Sequence, residues 1–337
     1  MRLSAMGDVA MIGPILRALI AENNDIKITV ISRKFFEPLF SNIPNVSFFA
    51  FDYKNRHKGF IGLLRLFFDL KRLKIDAFAD CHNVLRSKII QKLFALSGIK
   101  TATLDKGRAD KKALILDENK IFKQLPTMFE RHCAVFESLG FNVYLTHLIF
   151  PEKAILDDKI RDLIDNKYQK LIGIAPFAQY DTKVYPLDLM QQVIDKLSEN
   201  PKNKIVIFGG GQSEIETINT AFCNKNQENV INCAGKLSFE QELNLISNLD
   251  VMLSMDSGNA HLAANFGIKT ITLWGATHPF AGFAPFNQPL ENCLLSDRKL
   301  YPKIPTSIFG NKIIDGYQDA MRTISVEAVV SKVESLL

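Results

Sequence analysis

The sequence predicts an α/β protein with two domains, each built on a parallel, doubly wound sheet. Its 337 residues exceed the roughly 100–200 that one core usually organises. Short runs rich in β-branched and aromatic residues alternate with longer segments of helical apolar period, a pattern typical of parallel sheets covered by helices. A charged, Asp- and Lys-rich stretch at 151–170 separates two such sets. We therefore expect domains at 1–160 and 161–337, with the final helix packing back on the first domain.

In the first domain, apolar residues at helical spacing predict the helices. Short runs of β-branched and aromatic residues predict the strands. The predicted helices span 9–19, 60–74, 86–96 and 127–139, and the predicted strands span 26–31, 46–51 and 75–79. Gly140 follows the last of these helices, where a glycine is common. Only residues 1–3 precede the first glycine-containing loop, too few for a strand of about five residues. The first strand is therefore expected either to be a stub or to begin upstream of Met1.

The second domain repeats the alternation. Strands are predicted at 171–175, 204–208, 251–255 and 270–274, and helices at 187–197, 214–222, 239–246, 260–266 and 326–336. Ligands of doubly wound domains bind beyond the carboxyl ends of the strands. The sequence therefore predicts a ligand site in a central cleft that the two domains face.

Composition and charge exclude several classes of protein. Hydrophobic residues make up 47% and charged residues 23% of the chain, as in ordinary folded proteins. The chain has no run of about 18 uncharged apolar residues, and its N-terminus lacks the apolar core of a signal peptide. The net charge of +5 is too small to indicate nucleic acid as a partner. Five widely spaced cysteines without a Cys-x-x-Cys pair favour a reducing, cytoplasmic compartment.

The strongest chemical signal lies at 255–264, where Asp256, Ser257, Gly258 and His261 stand between an apolar strand and a helix. Gly258 permits close approach of the backbone, and the amides at a helix N-terminus can bind phosphate oxygens. Asp256 is expected to point into the cleft, and His261 adds a donor. The alternative is that Asp256 and Ser257 only cap the helix. The additional glycine and histidine at the end of a strand favour a phosphate site.

Three further residues each have two interpretations. Asp8, in the first turn of a predicted helix, is either a general base for a hydroxyl or a carboxylate that complements the helix dipole. Lys183, in the loop after strand 171–175, is either a cation for a phosphate or a solvated lysine. Glu214, after the glycines at 209–211, either accepts hydrogen bonds from sugar hydroxyls or only occupies a first helical turn.

Motifs for metal binding and for nucleophilic catalysis are missing from the sequence. No two aspartates are separated by one residue, the six histidines form no His-Glu-x-x-His, and no Gly-x-Ser-x-Gly occurs. We therefore expect a mechanism that uses no metal and no cofactor.

A basic and apolar segment at 54–74 has three interpretations. It could rest on an anionic membrane, grip an anionic lipid acceptor, or form a core helix with a solvated basic face. All three agree with its composition.

Taken together, these segments resemble glycosyltransferase family nine, the ADP-heptose:lipopolysaccharide heptosyltransferases, almost from end to end. The resemblance is carried by 4–9 (Ser-Ala-Met-Gly-Asp-Val), 81–87 (Cys-His-Asn-Val-Leu-Arg-Ser), 183–186 (Lys-Val-Tyr-Pro), Asp256-Ser257-Gly258 with His261, and 274–279 (Trp-Gly-Ala-Thr-His-Pro). The pair formed by Asp-Ser-Gly…His and Gly-Ala-Thr-x-Pro is specific, and the other segments support it. The resemblance implies two Rossmann-like domains in the GT-B glycosyltransferase architecture, and an inverting transfer.

The resemblance also implies residue roles and partners. Asp8 matches the base that takes the proton from the acceptor hydroxyl, and Arg86 falls on the acceptor side. The residues that match the donor contacts are, for the diphosphate, Lys183, Ser257, Gly258 and His261, and, for the sugar, Asp256 and Glu214. The implied partners are a nucleotide-diphosphate sugar, ADP-heptose, and an anionic glycolipid of the lipopolysaccharide type. The implied location is cytoplasmic, with peripheral contact to the inner membrane.

Two other functions are weighed beside this one. A sugar-nucleotide epimerase of the same architecture would release nucleotide and an altered sugar without any acceptor. A non-catalytic nucleotide-sugar-binding protein would bind ADP without turnover, which is expected if the short N-terminus leaves Asp8 unsupported.

Overall fold

The computed structural model describes residues 1–146, 148–165, 167–223 and 227–337. The chain divides into two compact units. The first unit consists of residues 1–108 and 126–151, and the second consists of residues 109–125 and 152–337. Compared with the predicted ranges 1–160 and 161–337, the second unit starts at Glu152 and also takes in a segment from the first half of the chain.

The N-terminal half alternates helices and strands. Its helices are α1 (Met6–Ala10), α2 (Ile12–Glu22), α3 (Gly59–Lys71), α4 (Leu85–Leu96), α5 (Arg108–Leu114) and α6 (Met128–Ser138), and its strands are β1 (Ile28–Ser32), β2 (Val46–Ala50), β3 (Ala77–Asp80) and β4 (Lys100–Thr103). Two parallel pairs result, β1 with β2 and β3 with β4.

Residues 1–3 link the two strand pairs of the first unit. The amide of Arg2 donates to the Ile31 carbonyl at 3.1 Å, and the amino group of Met1 donates to the Ala79 carbonyl at 2.7 Å. The amide of Cys81 donates in turn to the Met1 carbonyl at 3.1 Å, which is the pattern of a parallel pairing with β3. Residues 4–5 and the start of α1 therefore follow from the point where β1 and β3 end.

The core of the first unit forms where α3 and α4 pack on each other and on these strands. Leu66 of α3 and Ile90 of α4 are fully buried. The ring of Phe94 lies 5.0 Å from that of Phe67 and 5.1 Å from that of Phe78. Burial of these apolar side chains is the main stabilising contribution to the unit.

The second unit carries the remaining elements. Its helices are α7 (Asp158–Ile164), α8 (Leu187–Ser198), α9 (Gln212–Thr217), α10 (Phe239–Ile246), α11 (Gly258–Ala264) and α12 (Val326–Leu336), and its strands are β5 (Lys170–Ala175), β6 (Asn203–Ile207), β7 (Val230–Asn232), β8 (Val251–Met255), β9 (Lys269–Trp274) and β10 (Cys293–Leu295). α12 packs against α8, β8 and β9, and its Val329 and Val333 are fully buried in this unit's core.

The six strands that the structure describes in the second unit form one parallel sheet in the order β10-β9-β8-β5-β6-β7. The chain builds outward from β5 to β7, returns to place β8 beside β5, and then builds outward in the other direction. The strand order therefore reverses between β5 and β8, the point at which ligands of such sheets bind. The predicted α/β class is confirmed. None of the helices in the described part of the chain has the length and apolar character needed to cross a bilayer.

Candidate active site

Three polar side chains of the second unit meet where the neighbouring strands β5, β8 and β9 end. Asp256 follows β8 directly, Lys183 lies in the loop after β5, and Thr277 lies shortly beyond β9. Asp256 Oδ2 accepts hydrogen bonds from Lys183 Nζ at 3.1 Å and from Thr277 Oγ1 at 2.8 Å. The side chains of Lys183 and Asp256 are only 12% and 11% exposed. An ammonium group is thus held at a fixed position beside the reversal of the sheet.

The loop that carries Lys183 is fixed by two other loops. The carbonyl of Thr182 accepts a hydrogen bond from the Ala276 amide at 3.0 Å, and Thr182 Oγ1 donates to the Gly310 carbonyl. A Cβ at Gly310 would lie 2.6 Å from Cγ and Cδ of Lys183, so glycine allows the backbone to rest on the lysine stem. Lys183 is therefore not the solvated loop lysine that one interpretation of the sequence allowed.

Ser257, Gly258 and His261 continue the chain from Asp256 into α11. Ser257 precedes the helix without capping it, and its Oγ lies 3.1 Å from Oγ of Ser254. Gly258 is the first residue of the helix, and His261 is buried within it. Because Asp256 is engaged by Lys183 and the Ser257 side chain makes no capping hydrogen bond to α11, the interpretation in which these two residues only cap the helix does not hold. A phosphate site at this position stays a prediction.

Glu214 lies in the first turn of α9, after β6, which neighbours β5 on the side away from β8. Its Oε2 accepts a hydrogen bond from the amide of Gly210 at 2.7 Å, so the carboxylate folds back over the glycine turn. A Cβ at Gly209 would lie 3.0 Å from Cδ1 of Ile218 and 3.2 Å from the same oxygen, so a larger residue would crowd both side chains. Contact of Glu214 with sugar hydroxyls stays a prediction.

In the first unit, Asp8 lies in the first turn of α1 and is held by a buried arginine. Arg2 Nη2 lies 2.5 Å from Asp8 Oδ2, and the same oxygen accepts from the amide of Ala5 at 3.3 Å. Arg2 is 6% exposed, and it also donates to the carbonyls of Ser4 at 2.9 Å and Cys81 at 2.8 Å. The Asp8 side chain keeps 25% of its surface exposed. Asp8 thus closes the start of the helix and presents an oriented carboxylate, and its role as a general base stays a prediction.

A neutral histidine and a further cation lie near Asp8. The pKa of His82 is lowered to about 4, first by burial and then by the positive charges of Arg2 and Lys106, so its imidazole is neutral at pH 7. Burial also lowers the pKa of Lys106, and Arg2 and Arg108 act in the same direction. Two cationic side chains, Arg2 and Lys106, therefore lie near the Asp8 carboxylate, and Arg108 lies near Lys106.

Arg86 lies in the exposed first turn of α4, beyond the loop that follows β3. The fully buried Asp80 fixes this loop: its Oδ1 accepts from the amides of His82 and Asn83, both at 2.9 Å, and its Oδ2 accepts from Ser87 Oγ at 2.9 Å. This network sets the start of α4 and the position of the neutral histidine. The acceptor role of Arg86 stays a prediction.

The structure thus groups the predicted site residues by unit. Lys183 and Asp256 contact each other, the 257–261 segment follows them into α11, and Glu214 lies beyond the next strand. Asp8 and Arg86 belong to the first unit. Among the described residues, no group of three or more His, Cys, Asp or Glu side chains is placed to hold a metal ion.

Several residues that complete these sites were missed in the sequence. Thr277 lies in the Gly-Ala-Thr segment, and that segment was the signal that could have revealed it. Gly310 had no such signal, because its role depends on contact with a lysine far away in the chain. Arg2, His82 and Lys106 also acquire their significance only from their positions around Asp8.

A comparison with known families matches most of this chain. The family model of glycosyltransferase family 9 (heptosyltransferase) matches residues 63–311, which is more than half of this chain. The matched range includes Lys183, Asp256 and Thr277.

Curated relatives and solved structures span almost the whole chain. The chain is 26% identical to the lipopolysaccharide core heptosyltransferase OpsX of Haemophilus influenzae, covering 100% of this chain and 95% of that one. It is 25% identical to lipopolysaccharide heptosyltransferase 1 of Campylobacter coli, over 99% and 97% of the two chains.

Two solved structures from E. coli share the fold. ADP-heptose lps heptosyltransferase II superposes with a TM-score of 0.68 at 18% identity, over 99% of this chain and 96% of that one. Heptosyltransferase WaaC with ADP superposes with a TM-score of 0.67 at 17% identity, over 100% and 98%. These likenesses show an α/β fold of the GT-B type. The family match over more than half of the chain shows that the chain belongs to glycosyltransferase family 9 and is a glycosyltransferase.

Proposed function

We propose that this enzyme transfers heptose from ADP-heptose to a hydroxyl group of a lipopolysaccharide acceptor, with inversion at the anomeric carbon. The observation that carries the proposal is the buried cluster of Lys183, Asp256 and Thr277 where β5, β8 and β9 end. Family membership and the activities named for the relatives support the choice of donor and acceptor.

In the proposed donor site, Lys183 is the cation for the diphosphate. An ammonium group shielded from bulk water interacts with phosphate charge more strongly than an exposed one. Asp256 and Thr277 hold it in place before the donor binds, so little reorganisation accompanies the reaction. Ser257 and His261 add a hydroxyl and an imidazole as donors to the phosphate oxygens. As the bond from the anomeric carbon to the diphosphate oxygen breaks, Lys183 stabilises the charge that grows on the departing ADP.

In the proposed acceptor site, Asp8 is the general base. The acceptor oxygen forms the new bond to the anomeric carbon while its proton passes to the Asp8 carboxylate. Arg2 orients that carboxylate through the 2.5 Å contact. The proton passes to Asp8, the sugar passes to the acceptor oxygen, and ADP leaves, so the transfer needs no further reactant.

The charges of the first unit favour an anionic acceptor. Arg2 and Lys106 lie near Asp8, Arg108 lies near Lys106, and Arg86 is exposed at the start of α4. Such a concentration of cations attracts molecules that carry phosphate or carboxylate groups. A glycolipid on the cytoplasmic face of the inner membrane has this chemistry, and we propose it as the acceptor.

Calorimetric titration with ADP-, GDP-, UDP- and dTDP-sugars tests the donor site. We expect ADP-heptose to bind, and Lys183→Met to weaken ADP binding by roughly tenfold or more because a charge-assisted contact is lost. Lys202→Met, at an exposed position of the same unit, is the matched control and should leave the affinity unchanged. A preference for another nucleotide, or an unaltered affinity in Lys183→Met, would contradict this donor site.

Product analysis in the same samples separates the two other functions. An altered sugar formed without acceptor would indicate an epimerase. Binding of ADP-heptose without turnover, even with acceptor present, would indicate a non-catalytic binding protein.

A further inference from the structure

The surface of α3 exposes large apolar side chains to water. Phe60, Ile61 and Phe68 are 65%, 67% and 58% exposed. The residues that α3 buries in the core are Gly62, Leu63, Leu66, Phe67 and Leu70. The helix therefore carries apolar residues on two faces, and packing within the first unit accounts for only one of them.

Cationic side chains alternate with the exposed apolar ones. Ile61, Arg65, Phe68 and Arg72 are spaced four, three and four positions apart, which places them along one side of a helix. Arg65 and Arg72 are both exposed. Between positions 52 and 76 the chain has seven Lys and Arg residues and three Asp residues, a surplus of four positive charges.

The acidic residue within α3 is already paired. Asp69 accepts hydrogen bonds from Arg56 Nε at 2.8 Å and Nη2 at 2.7 Å, and Arg72 Nη1 lies 3.7 Å away. The hydrogen bonds from Arg56 are the main reason that the pKa of Asp69 is lowered to about 2. Lys58, Arg65 and Lys71 lie outside these contacts, so positive charge dominates the exposed side of the helix.

A cavity of about 510 Å³ adjoins the chain that leads into α3. Its lining includes Met6 of α1, Phe35, Tyr53 and Lys54. Met6 lies two positions before Asp8, so the helix of the proposed base and the start of the basic, apolar segment line the same cavity.

We propose that the α3 surface, formed by Lys58, Phe60, Ile61, Arg65, Phe68 and Arg72, docks the first unit on an anionic lipid bilayer. The apolar side chains enter the boundary between headgroups and acyl chains, and the cations contact lipid phosphates. A nucleic acid would not require three exposed apolar side chains, and an apolar protein groove would not require the cations between them. The inference rests on the proposed function for its purpose, which is to bring a glycolipid hydroxyl to Asp8.

Vesicle flotation tests this surface directly. The full chain should float with vesicles of phosphatidylcholine mixed with phosphatidylglycerol, and more weakly at high salt or with phosphatidylcholine alone. The double variant Arg65→Glu/Arg72→Glu should bind the anionic vesicles roughly tenfold or more weakly, because two attractive charges become repulsive. The triple variant Phe60→Ser/Ile61→Ser/Phe68→Ser should lose binding to a similar degree.

Matched variants of the second unit control for general changes in charge and hydrophobicity. Ile155, Leu300 and Ile313 are 92%, 68% and 70% exposed, and their triple serine variant should float like the wild type. Lys202→Glu/Lys299→Glu should do the same. Absence of wild-type binding, equal losses in the control variants, or unchanged binding in the α3 variants would overturn the proposal. The proposal would also be overturned if the wild type formed a dimer, and the α3 variants were monomeric but floated like the wild type.

Transfer assays with two acceptors separate this inference from the proposed function. The α3 variants should transfer to a lipid-free acceptor fragment at the wild-type rate, and more slowly to an acceptor embedded in vesicles. Wild-type protein that floats but transfers to neither acceptor would contradict the proposed function and leave the docking surface intact. Equal rates on embedded acceptor for wild type and α3 variants would instead contradict the docking surface.

Discussion

Arg2 joins the candidate base to the ends of two strands. Its side chain contacts Asp8, Ser4 and Cys81, and its amide binds the Ile31 carbonyl. We predict that Arg2→Met slows transfer by roughly 10- to 100-fold with little change in ADP affinity, because one buried, charge-assisted contact to Asp8 is lost. Arg2→Lys should retain more of the rate, since an ammonium group can still pair with the carboxylate.

Steady-state kinetics and ADP titration of both Arg2 variants check this prediction. Thermal unfolding of each variant shows whether the first unit is still folded. A wild-type rate in Arg2→Met, or a loss of ADP affinity as large as the loss of rate, would contradict a positioning role.

At the level of single residues, the sequence indicates which side chains carry chemistry but not which of them meet. Lys183 and Asp256 were predicted from their own loops, yet they are 73 positions apart and only the sheet order brings β5 beside β8. Their pairing makes Lys183 a partly buried cation, which the composition of its loop does not indicate. Asp8 was predicted for the same local reason, whereas its arginine partner is apparent only once residues 1–3 lie between β1 and β3.

Among the elements, Gly310 offers a test of how the Lys183 loop is held. Its φ is +83°, and a Cβ there would meet the Lys183 stem at 2.6 Å. Gly310→Ala should therefore weaken ADP binding several-fold, because the lysine must move away from the added carbon. Gly316→Ala is the matched control: its φ is +79°, so it carries a similar backbone strain of about 1 kcal/mol, but nothing lies within 4 Å.

Calorimetric ADP titration and thermal unfolding of the two alanine variants provide the comparison. We expect a loss of stability from backbone strain in both variants and a loss of affinity in Gly310→Ala alone. Equal affinities in the two variants would show that the glycine does not shape the lysine site.

The sequence predicted most accurately the central strand β8 and two helices that are packed in the second unit. β8, α10 and α12 have the predicted bounds, because a strand covered on both faces is a continuous apolar run and a packed helix keeps a strong period. β4, β7 and β10 were missed. β4 reads Lys-Thr-Ala-Thr, and β7 and β10 are three-residue strands at the two edges of the sheet, where pairing rather than composition decides the conformation. The predicted linker at 151–170 contains α7, whose start is capped by the Asp157 side chain.

For the molecule as a whole, two buried groups make stability depend on pH in opposite senses. The pKa of His278 is lowered to about 4, first by burial and then by Arg298 and Lys120. Between its unfolded value of 6.5 and pH 4, the unfolded chain binds a proton that the folded chain does not, so this histidine reduces stability as the pH falls. Burial raises the pKa of Glu242 to about 7, and this carboxyl therefore favours the folded state as the pH falls from 7 towards 4.5.

The histidine contribution is isolated by comparison with His278→Asn, which keeps an acceptor for the Phe280 amide. From pH 7 to pH 5 the wild type should lose about 2 kcal/mol more stability than the variant, since the slope is about 1.4 kcal/mol per pH unit for one proton. Urea unfolding followed by Trp274 fluorescence measures this, because the only tryptophan is buried in the second unit. Parallel losses in the two proteins would contradict a neutral, buried His278.

The sequence predicts two domains, but it gives no indication that residues 109–125 belong to the second unit. Leu114 and Leu125 form a buried cluster with Ala281, and the Leu125 amide donates to the Phe280 carbonyl at 2.9 Å. These contacts join segments more than 150 positions apart, so no local pattern of charge or apolar period could indicate them. The fold class was predictable from the alternation of β-rich runs with segments of helical period, and the family was predictable from short motifs.

The most direct measurement is the release of ADP from ADP-heptose by wild type and Asp8→Asn, with and without a lipopolysaccharide-core acceptor. We expect release by the wild type only when acceptor is present, together with a glycosylated product. Asp8→Asn should bind ADP normally and transfer roughly 10²–10⁴-fold more slowly, because no carboxylate accepts the hydroxyl proton. Undiminished transfer by Asp8→Asn, or ADP release that ignores the acceptor, would contradict heptosyl transfer through Asp8.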